Sequence, residues 1–416
     1  MSEVVSLEEL CTGIIDCPHS TPKWQDKGIP VIRNYNLKDG KIDCANLSFV
    51  SEEDYKERVK RAIPEESDII ISREAPMGVV GIVPKGFQCC LGQRLVLLKI
   101  DKSKCLPKYL LYTLMSEYVQ LQIRRINQTG SIVSNLNISS LRELKIPLHS
   151  FEEQKKIANI LSAIDDKISL NNQINQELEA MAKTLYDYWF VQFDFPDQNG
   201  KPYKSSGGKM IYHPELKREI PEGWGVEALK DFESKIITGK TPSRANSDNF
   251  GGEIPFITIG DIRGNTFIYS TSETLTDLGA SVQQNKYLPQ GSLCVSCIAT
   301  VGEIGFTTEP SHTNQQINSI VFEDETNRYY LYFVLKNYFE NANASAKTGN
   351  TFANMNKEDF SGIRIILPSE EIKKNFHEIS EPYFAQIKCL QGQNQELIQL
   401  RDWLLPMLMN GQVKVE

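Results

Sequence analysis

Thr129-Gly130-Ser131 and Thr348-Gly349-Asn350 each stand just ahead of an Asn-x-Asn triplet, Asn135-Leu136-Asn137 and Asn354-Met355-Asn356. Glycine permits a tight turn, and free backbone amides with small side chains can hold an anion such as phosphate. The plainer alternative is a turn that merely closes a domain. Ser72-Arg73 and Gln93-Arg94 carry side chains able to reach guanine edges, while Gln315-Gln316 and Asn318 could read adenine. Lys240-Thr241-Pro242-Ser243-Arg244 mirrors Ser20-Thr21-Pro22-Lys23, a Thr-Pro turn with basic neighbours in both places. Arg33 and Ser296 complete the candidate nucleic-acid contacts. Each residue alone reads as ordinary surface; recurrence at matching places is what singles the set out.

Patterns for catalysis are missing. There is no Walker A loop, HExxH or G-x-S-x-G. Nor is there the Asn-Pro-Pro-Tyr or Asp-Pro-Pro-Tyr of an amino-methyltransferase, or a glycine fingerprint for its cofactor. Cys294 and Cys297 have C-x-x-C spacing but stand alone inside a predicted strand, where they face opposite sides and read as small buried residues. His19 belongs to an Asp16-Cys17-Pro18-His19 turn, and no metal site is expected there or elsewhere. The acidic pairs Asp165-Asp166 and Glu152-Glu153 read as solvated helix faces.

The elements that must position these groups are repeated. From Ser150 to Phe190, apolar residues fall at Ile157, Leu161, Ile164, Ile168, Leu178 and Leu185, the seam of a coiled-coil helix. Ser150 with Glu153 fits a capping box at its start. Asn175-Gln176-Glu177-Leu178 returns as Asn394-Gln395-Glu396-Leu397, 219 residues later. In the preceding blocks, Gly28-Ile29-Pro30-Val31-Ile32 parallels Glu253-Ile254-Pro255-Phe256-Ile257. Ser72, Ala75, Gly78 and Gly81 parallel Ser296, Ala299, Gly302 and Gly305. Such ordered matches mark an internal duplication. Asn171, Asn175 and Asn394 lie at or beside the seam, where a polar residue fixes register; alternatively they face solvent.

Each block mixes short strands with one helical stretch, Lys108 to Arg125 and Asn327 to Asn341. Residues 195–224 are dense in Pro, Gly, Ser and Lys and read as an irregular connector. Pro382 is expected to break the second long helix into Ser369–Ser380 and Pro382 to about Met409. The expected fold class is α+β. Two similar mixed α/β domains are joined by two long helices that form an antiparallel coiled coil, with a pseudo-two-fold internal repeat.

A chain of 416 residues is long enough for two or more cores. Nine cysteines without framework spacing argue for reduced thiols and a cytoplasmic location. No apolar run has the length of a membrane span, and the start MSEVVSLEEL lacks the features of a signal peptide. The net charge of −8 is unfavourable for nonspecific nucleic-acid binding. Residues 1–150 carry +2 and residues 223–368 carry −5. Phosphate contacts must therefore come from local patches.

With these motifs in order, the chain resembles the specificity subunit of a Type I restriction–modification enzyme over nearly its whole length. The carriers are Gly251-Gly252-Glu253-Ile254-Pro255-Phe256-Ile257 with Gly260-Asp261-Ile262, the two Thr-Gly-x-x-x-x-Asn-x-Asn stretches, and Glu152-Glu153-Gln154-Lys155-Lys156-Ile157-Ala158. Leu400-Arg401-Asp402-Trp403-Leu404-Leu405-Pro406 is another. The resemblance implies target-recognition domains at 1–150 and 223–368, spacer helices at 151–195 and 369–416, and a connector at 196–222. It implies a non-catalytic subunit that binds a bipartite target in double-stranded DNA. Two modification (methyltransferase) subunits, which carry S-adenosylmethionine, and a restriction (endonuclease) subunit are the implied partners. The competing reading is a two-headed coiled-coil adaptor that binds proteins and makes no DNA contact.

Overall fold

A computed structural model describes residues 3–128, 135–346 and 354–413. It divides into two compact units, Met1–Lys167 with Leu397–Glu416, and Ile168–Glu396.

In the first unit, strand Glu3–Ser6 pairs antiparallel with Lys145–Leu148. An antiparallel sheet follows in the order Cys11–Asp16, Leu95–Ile100, Ile69–Ser72, Val80–Ile82. A third sheet sets Ile29–Ile32 between Ser48–Val50, antiparallel, and Cys90–Leu91, parallel. The core lies between the larger sheet and its helices, and includes Ile69, Ile71, Val96, Leu98, Tyr109, Leu110 and Leu114.

The second unit repeats this wiring. Gly225–Ala228 pairs antiparallel with Arg364–Leu367. Ile236–Thr238, Ile317–Ile320, Leu293–Ser296 and Ile304–Thr307 form the larger sheet, extended by Phe267–Ile268 in parallel. Phe250–Ile257 lies between Glu273–Leu275, antiparallel, and His312–Thr313, parallel. The mixture of one antiparallel and one parallel neighbour, in the same place twice, is the duplication at the level of hydrogen bonds.

Several sequence expectations need correction. The Lys108–Arg125 stretch is two helices, Pro107–Met115 and Glu117–Gln128. Ser116 separates them in extended conformation, its hydroxyl and its backbone N–H both donating to the Thr113 carbonyl, at 2.6 and 3.1 Å. The connector is not wholly irregular. Met210–His213 and Arg218–Pro221 form a hairpin within it, and Phe195 stacks between Tyr203 and Trp224 at 4.7 and 4.8 Å. Pro382 does not divide its helix, which runs unbroken from Glu370 to Met409. Phe376, Phe384 and Ile387, on both sides of the proline, are buried in one cluster, and that packing outweighs the lost backbone bond. Finally, Asp165 is buried rather than solvated.

The first long helix spans Phe151–Tyr186. Its start is the expected box: Ser150 Oγ donates to Glu153 Oε2 at 2.7 Å, and the Ser150 backbone N–H donates to the same oxygen at 3.1 Å. The helix then loosens into a π turn, Asp187–Val191, that puts Trp189 and Phe190 in the core of the second unit.

Both long helices contribute to each unit. In the first, Ile157, Ala158 and Leu161 share a cluster with Leu405, Leu408 and Met409. There Asp165 accepts from Arg401 Nη1 at 3.0 Å and from the Tyr112 hydroxyl at 2.6 Å. In the second unit Asn171 meets Asn394, while fifteen residues on Tyr186 meets Phe376, so the helices run in opposite directions there. Asn171, Asn175 and Asn394 are 0%, 8% and 7% exposed, which excludes the solvent-facing alternative. Cys294 lies in strand Leu293–Ser296 and Cys297 just beyond its end, not inside it as expected; the two are buried in different clusters.

Candidate nucleic-acid interface

The described candidate residues of the first unit converge on loops at one end of its sheets. Arg73 and Arg94 are adjacent across the ladder, the Arg73 N–H donating to the Arg94 carbonyl at 2.8 Å. Gln93 Nε2 donates to the His19 carbonyl, tying this edge to the Thr21–Lys23 turn. Asn34 Nδ2 donates to the Ala75 carbonyl, tying the turn after strand Ile29–Ile32 to the loop after Ser72. Thr21, Lys23, Arg33, Gln93 and Arg94 all remain exposed.

Ser72 is placed differently. Its buried hydroxyl donates to the Pro76 carbonyl at 2.7 Å and accepts from the Val79 N–H at 2.9 Å. Ser296 repeats the arrangement, donating to Thr300 O at 2.6 Å and accepting from Glu303 N–H at 2.9 Å. Gly78 and Gly302 follow with φ of 79° and 94°, and Ala75 and Ala299 also have positive φ. Each serine is thus the internal brace of a strained loop.

The Asn-x-Asn triplets have a local explanation. Asn137 caps helix Ile138–Arg142 and Asn356 caps helix Lys357–Ser361, each side chain accepting a backbone N–H at 2.8 Å. The middle residues, Leu136 and Met355, are buried and their N–H groups bond the carbonyls of Arg73 and Cys297. The triplets therefore serve as hydrogen-bonded starts of the two short helices. Thr129, Gly130, Ser131, Thr348, Gly349 and Asn350 lie outside the described residues.

The second unit gathers Lys240, Thr241, Gln315 and Gln316 in the corresponding place. Lys240 N–H donates to Thr313 O, and Thr241 Oγ1 donates to Gln315 Oε1 at 2.7 Å. Asn314 bridges to Gln316 at 3.2 Å. Ser243 and Arg244 are exposed, whereas Asn318 is buried and accepts from Thr238 Oγ1 at 2.6 Å.

Charge pairing separates the arginines. Arg73 forks onto Asp16, with Nη1 at 2.8 Å from both carboxylate oxygens. Arg94 pairs with Glu74 at 3.1 Å. Arg244 is bidentate to Glu273 at 2.8 Å on both arms, which holds the Glu273 carboxyl below the usual carboxylate range. Sequence reasoning missed Trp24 and Tyr35, exposed aromatics that flank Arg33. Their signal was proximity: each lies within two residues of a basic residue already singled out.

The family model described as the Type I restriction modification DNA specificity domain matches twice, over residues 2–180 and 221–399. The chain belongs to this family. It is 34% identical over 362 residues to the Type I restriction enzyme HindI specificity subunit of Haemophilus influenzae, covering 74% of this chain and 78% of that one. It is 28% identical to the MjaIX specificity subunit of Methanocaldococcus jannaschii, covering 90% and 86%. Among solved structures, the S subunit of a Type I system from M. genitalium aligns over 98% of this chain and 96% of that one, with a TM-score of 0.52 at 16% identity, a likeness of fold. Both repeats of the specificity family coincide with the two copies of the sheet wiring. Among the described residues no helix is long and apolar enough to cross a membrane.

Proposed function

We propose that this specificity subunit reads a bipartite target in double-stranded DNA, one half with each recognition domain. Residues 1–150 and 223–368 serve as the reading domains, 151–195 and 369–416 as spacer helices paired as an antiparallel coiled coil, and 196–222 as the connector. The subunit is non-catalytic and cytoplasmic. It docks two modification subunits, which bring S-adenosylmethionine, and a restriction subunit.

The observation that supports this best is one scaffold built twice with different polar side chains at its tips. Ser72 and Ser296 brace equivalent loops, yet Gln93-Arg94 in one copy stands where Gln315-Gln316 stands in the other. A constant frame with variable hydrogen-bonding tips is what reading two different half-sites requires. Exposed Lys23 and Lys240, with the residues of the two Thr-Gly motifs, supply phosphate contacts; Arg33, Arg94, Gln93, Gln315, Gln316 and Thr241 face base edges. The buried Ser72, Ser296 and Asn318 support them from behind. Helices of 36 and 40 residues are about 54 and 60 Å long at 1.5 Å per residue. That length exceeds the 34–36 Å between half-sites one helical turn apart.

The test is to remove one heptad from each long helix and map methylated adenines in DNA from cells carrying the subunit with its partners. The gap between half-sites should change and both half-sites should stay. Altered half-sites with an unaltered gap would reject the ruler, and absence of any bipartite motif in wild-type DNA would reject DNA reading in favour of a protein adaptor.

A further inference from the structure

Of the four arginines that the sequence singled out, three have a carboxylate against the guanidinium: Asp16 on Nη1 of Arg73, Glu74 on Nε of Arg94 and Glu273 on both arms of Arg244. Arg33 has no carboxylate partner among the described residues. It is exposed, and its guanidinium carbon lies 5.3 Å from the Trp24 ring centroid and 4.8 Å from that of Tyr35. Two aromatic faces hold a planar cation in place while leaving its edge donors open.

The mounting is rigid. Strand Ile29–Ile32 ends at Arg33, whose N–H donates to Asn36 Oδ1 at 3.0 Å while its carbonyl accepts the Asn36 N–H at 2.9 Å. Asn36 is buried and donates onward to the carbonyls of Asp43 and Asn46. Tyr35 is fixed through Ser48 at 3.4 Å, and the chain beside Trp24 through the Gln25–Phe49 backbone bond at 2.9 Å. Gly92 leaves room for the arginine stem, since a Cβ there would sit 3.3 Å from Arg33 Cγ. The next two residues are Gln93 and Arg94, so the fork stands among the other exposed reading groups.

The second copy has the same turn with a different side chain. Thr258 occupies the place of Arg33, its N–H donating to Asp261 Oδ2 at 2.7 Å as Arg33 does to Asn36. The Thr258 hydroxyl is spent on the same Asp261 oxygen. The frame is shared and the guanidinium belongs to one copy alone.

We infer that Arg33, clamped between Trp24 and Tyr35, is the residue that selects a guanine in the half-site bound by the first recognition domain. The pairing is bidentate, guanidinium N–H groups to guanine O6 and N7 in the major groove. This rests on the preceding proposal that the domains read DNA. Thr258 gives the second half-site no equivalent guanine selection.

The test uses the subunit in complex with its partners, with Arg33→Lys and Arg33→Ala, and maps methylated sites genome-wide. Both variants are expected to lose discrimination at one G·C pair of one half-site, by roughly tenfold or more. The other half-site and the gap stay as in wild type. Arg33→Lys keeps the charge, so its affinity for the relaxed sites should stay close to wild type. An unchanged motif with uniformly weaker binding would make Arg33 a phosphate contact and overturn the inference. So would a wild-type motif with no G·C pair in either half-site, or a variant that alters both halves. Failure of the wild-type complex to mark any bipartite motif would instead reject the underlying DNA-reading proposal.

Discussion

Asn171 donates its side-chain amide to Asn394 Oδ1 at 2.9 Å, and Asn394 in turn donates to Asn172 Oδ1 at 2.8 Å, between two helices that also share an apolar cluster in that unit. A buried amide left without its partner costs about 1–3 kcal/mol, whereas replacing both partners by apolar groups can be neutral. Asn394→Leu alone should therefore destabilise the chain by about that amount in urea denaturation. Asn171→Leu combined with Asn394→Leu should recover most of the loss. Additive losses would show that the pair is not coupled.

Asp165 and Arg401 form the matching polar contact in the first unit. Burial first, and then Asp165 itself, push the Tyr112 phenol far above its ordinary pKa, so it remains a donor to Asp165 at any working pH. Arg401→Ala leaves the Asp165 charge buried with only that hydroxyl, at a cost of roughly 3 kcal/mol. Asp165→Asn keeps an acceptor for Tyr112 and should cost less. Denaturant midpoints measured side by side distinguish the two.

Acid should weaken the fold through its buried histidines. Burial lowers the pKa of His149, His312 and His377 in the folded chain. The unfolded chain, with histidine near 6.5, then binds more protons than the folded one, and stability rises with pH. Stability is fully present above about pH 6.5 and declines as pH falls through that value. Thermal melts between pH 7.5 and 5.5 should show this slope, and His312→Gln should flatten it. A melt independent of pH in this range would remove the histidines from the account.

Ser72→Ala and Ser296→Ala each leave a part-buried carbonyl and N–H without the hydroxyl that joins them in the loop. A loss of about 1 kcal/mol per site is expected. Because neither hydroxyl faces outward, affinity should fall without a change in which bases are methylated. A changed motif would return these serines to the set of base readers.

Much of this architecture was legible because it depends on local patterning. The seam positions, the Ser150 cap and the two copies of the Ser-x-x-Ala-x-x-Gly stretch are all set by spacing along the chain. What escaped depended on partners distant in sequence. Arg73 looks like a reader until Asp16, 57 residues away, is seen to hold it. Asp165 looks solvated until Tyr112 and Arg401 close over it. Pro382 signals a break by local rules, and only the burial of Phe376 and Phe384 around it explains why the helix continues. The Asn-x-Asn triplets were recognised by recurrence, but their role as helix caps was available from the short helical stretches that follow.

Phe376, Phe384 and Ile387 are simultaneously the inner face of the second long helix and part of the hydrophobic interior of the second recognition domain. Tyr269, from the sheet side, donates to the Lys388 carbonyl at 2.7 Å, and its ring would lie within 3.1 Å of any Cβ placed on Gly392. This stretch of helix thus has no melting transition of its own. Hydrogen exchange along residues 376–392 should match that of strand Leu293–Ser296, opening only when the whole domain opens.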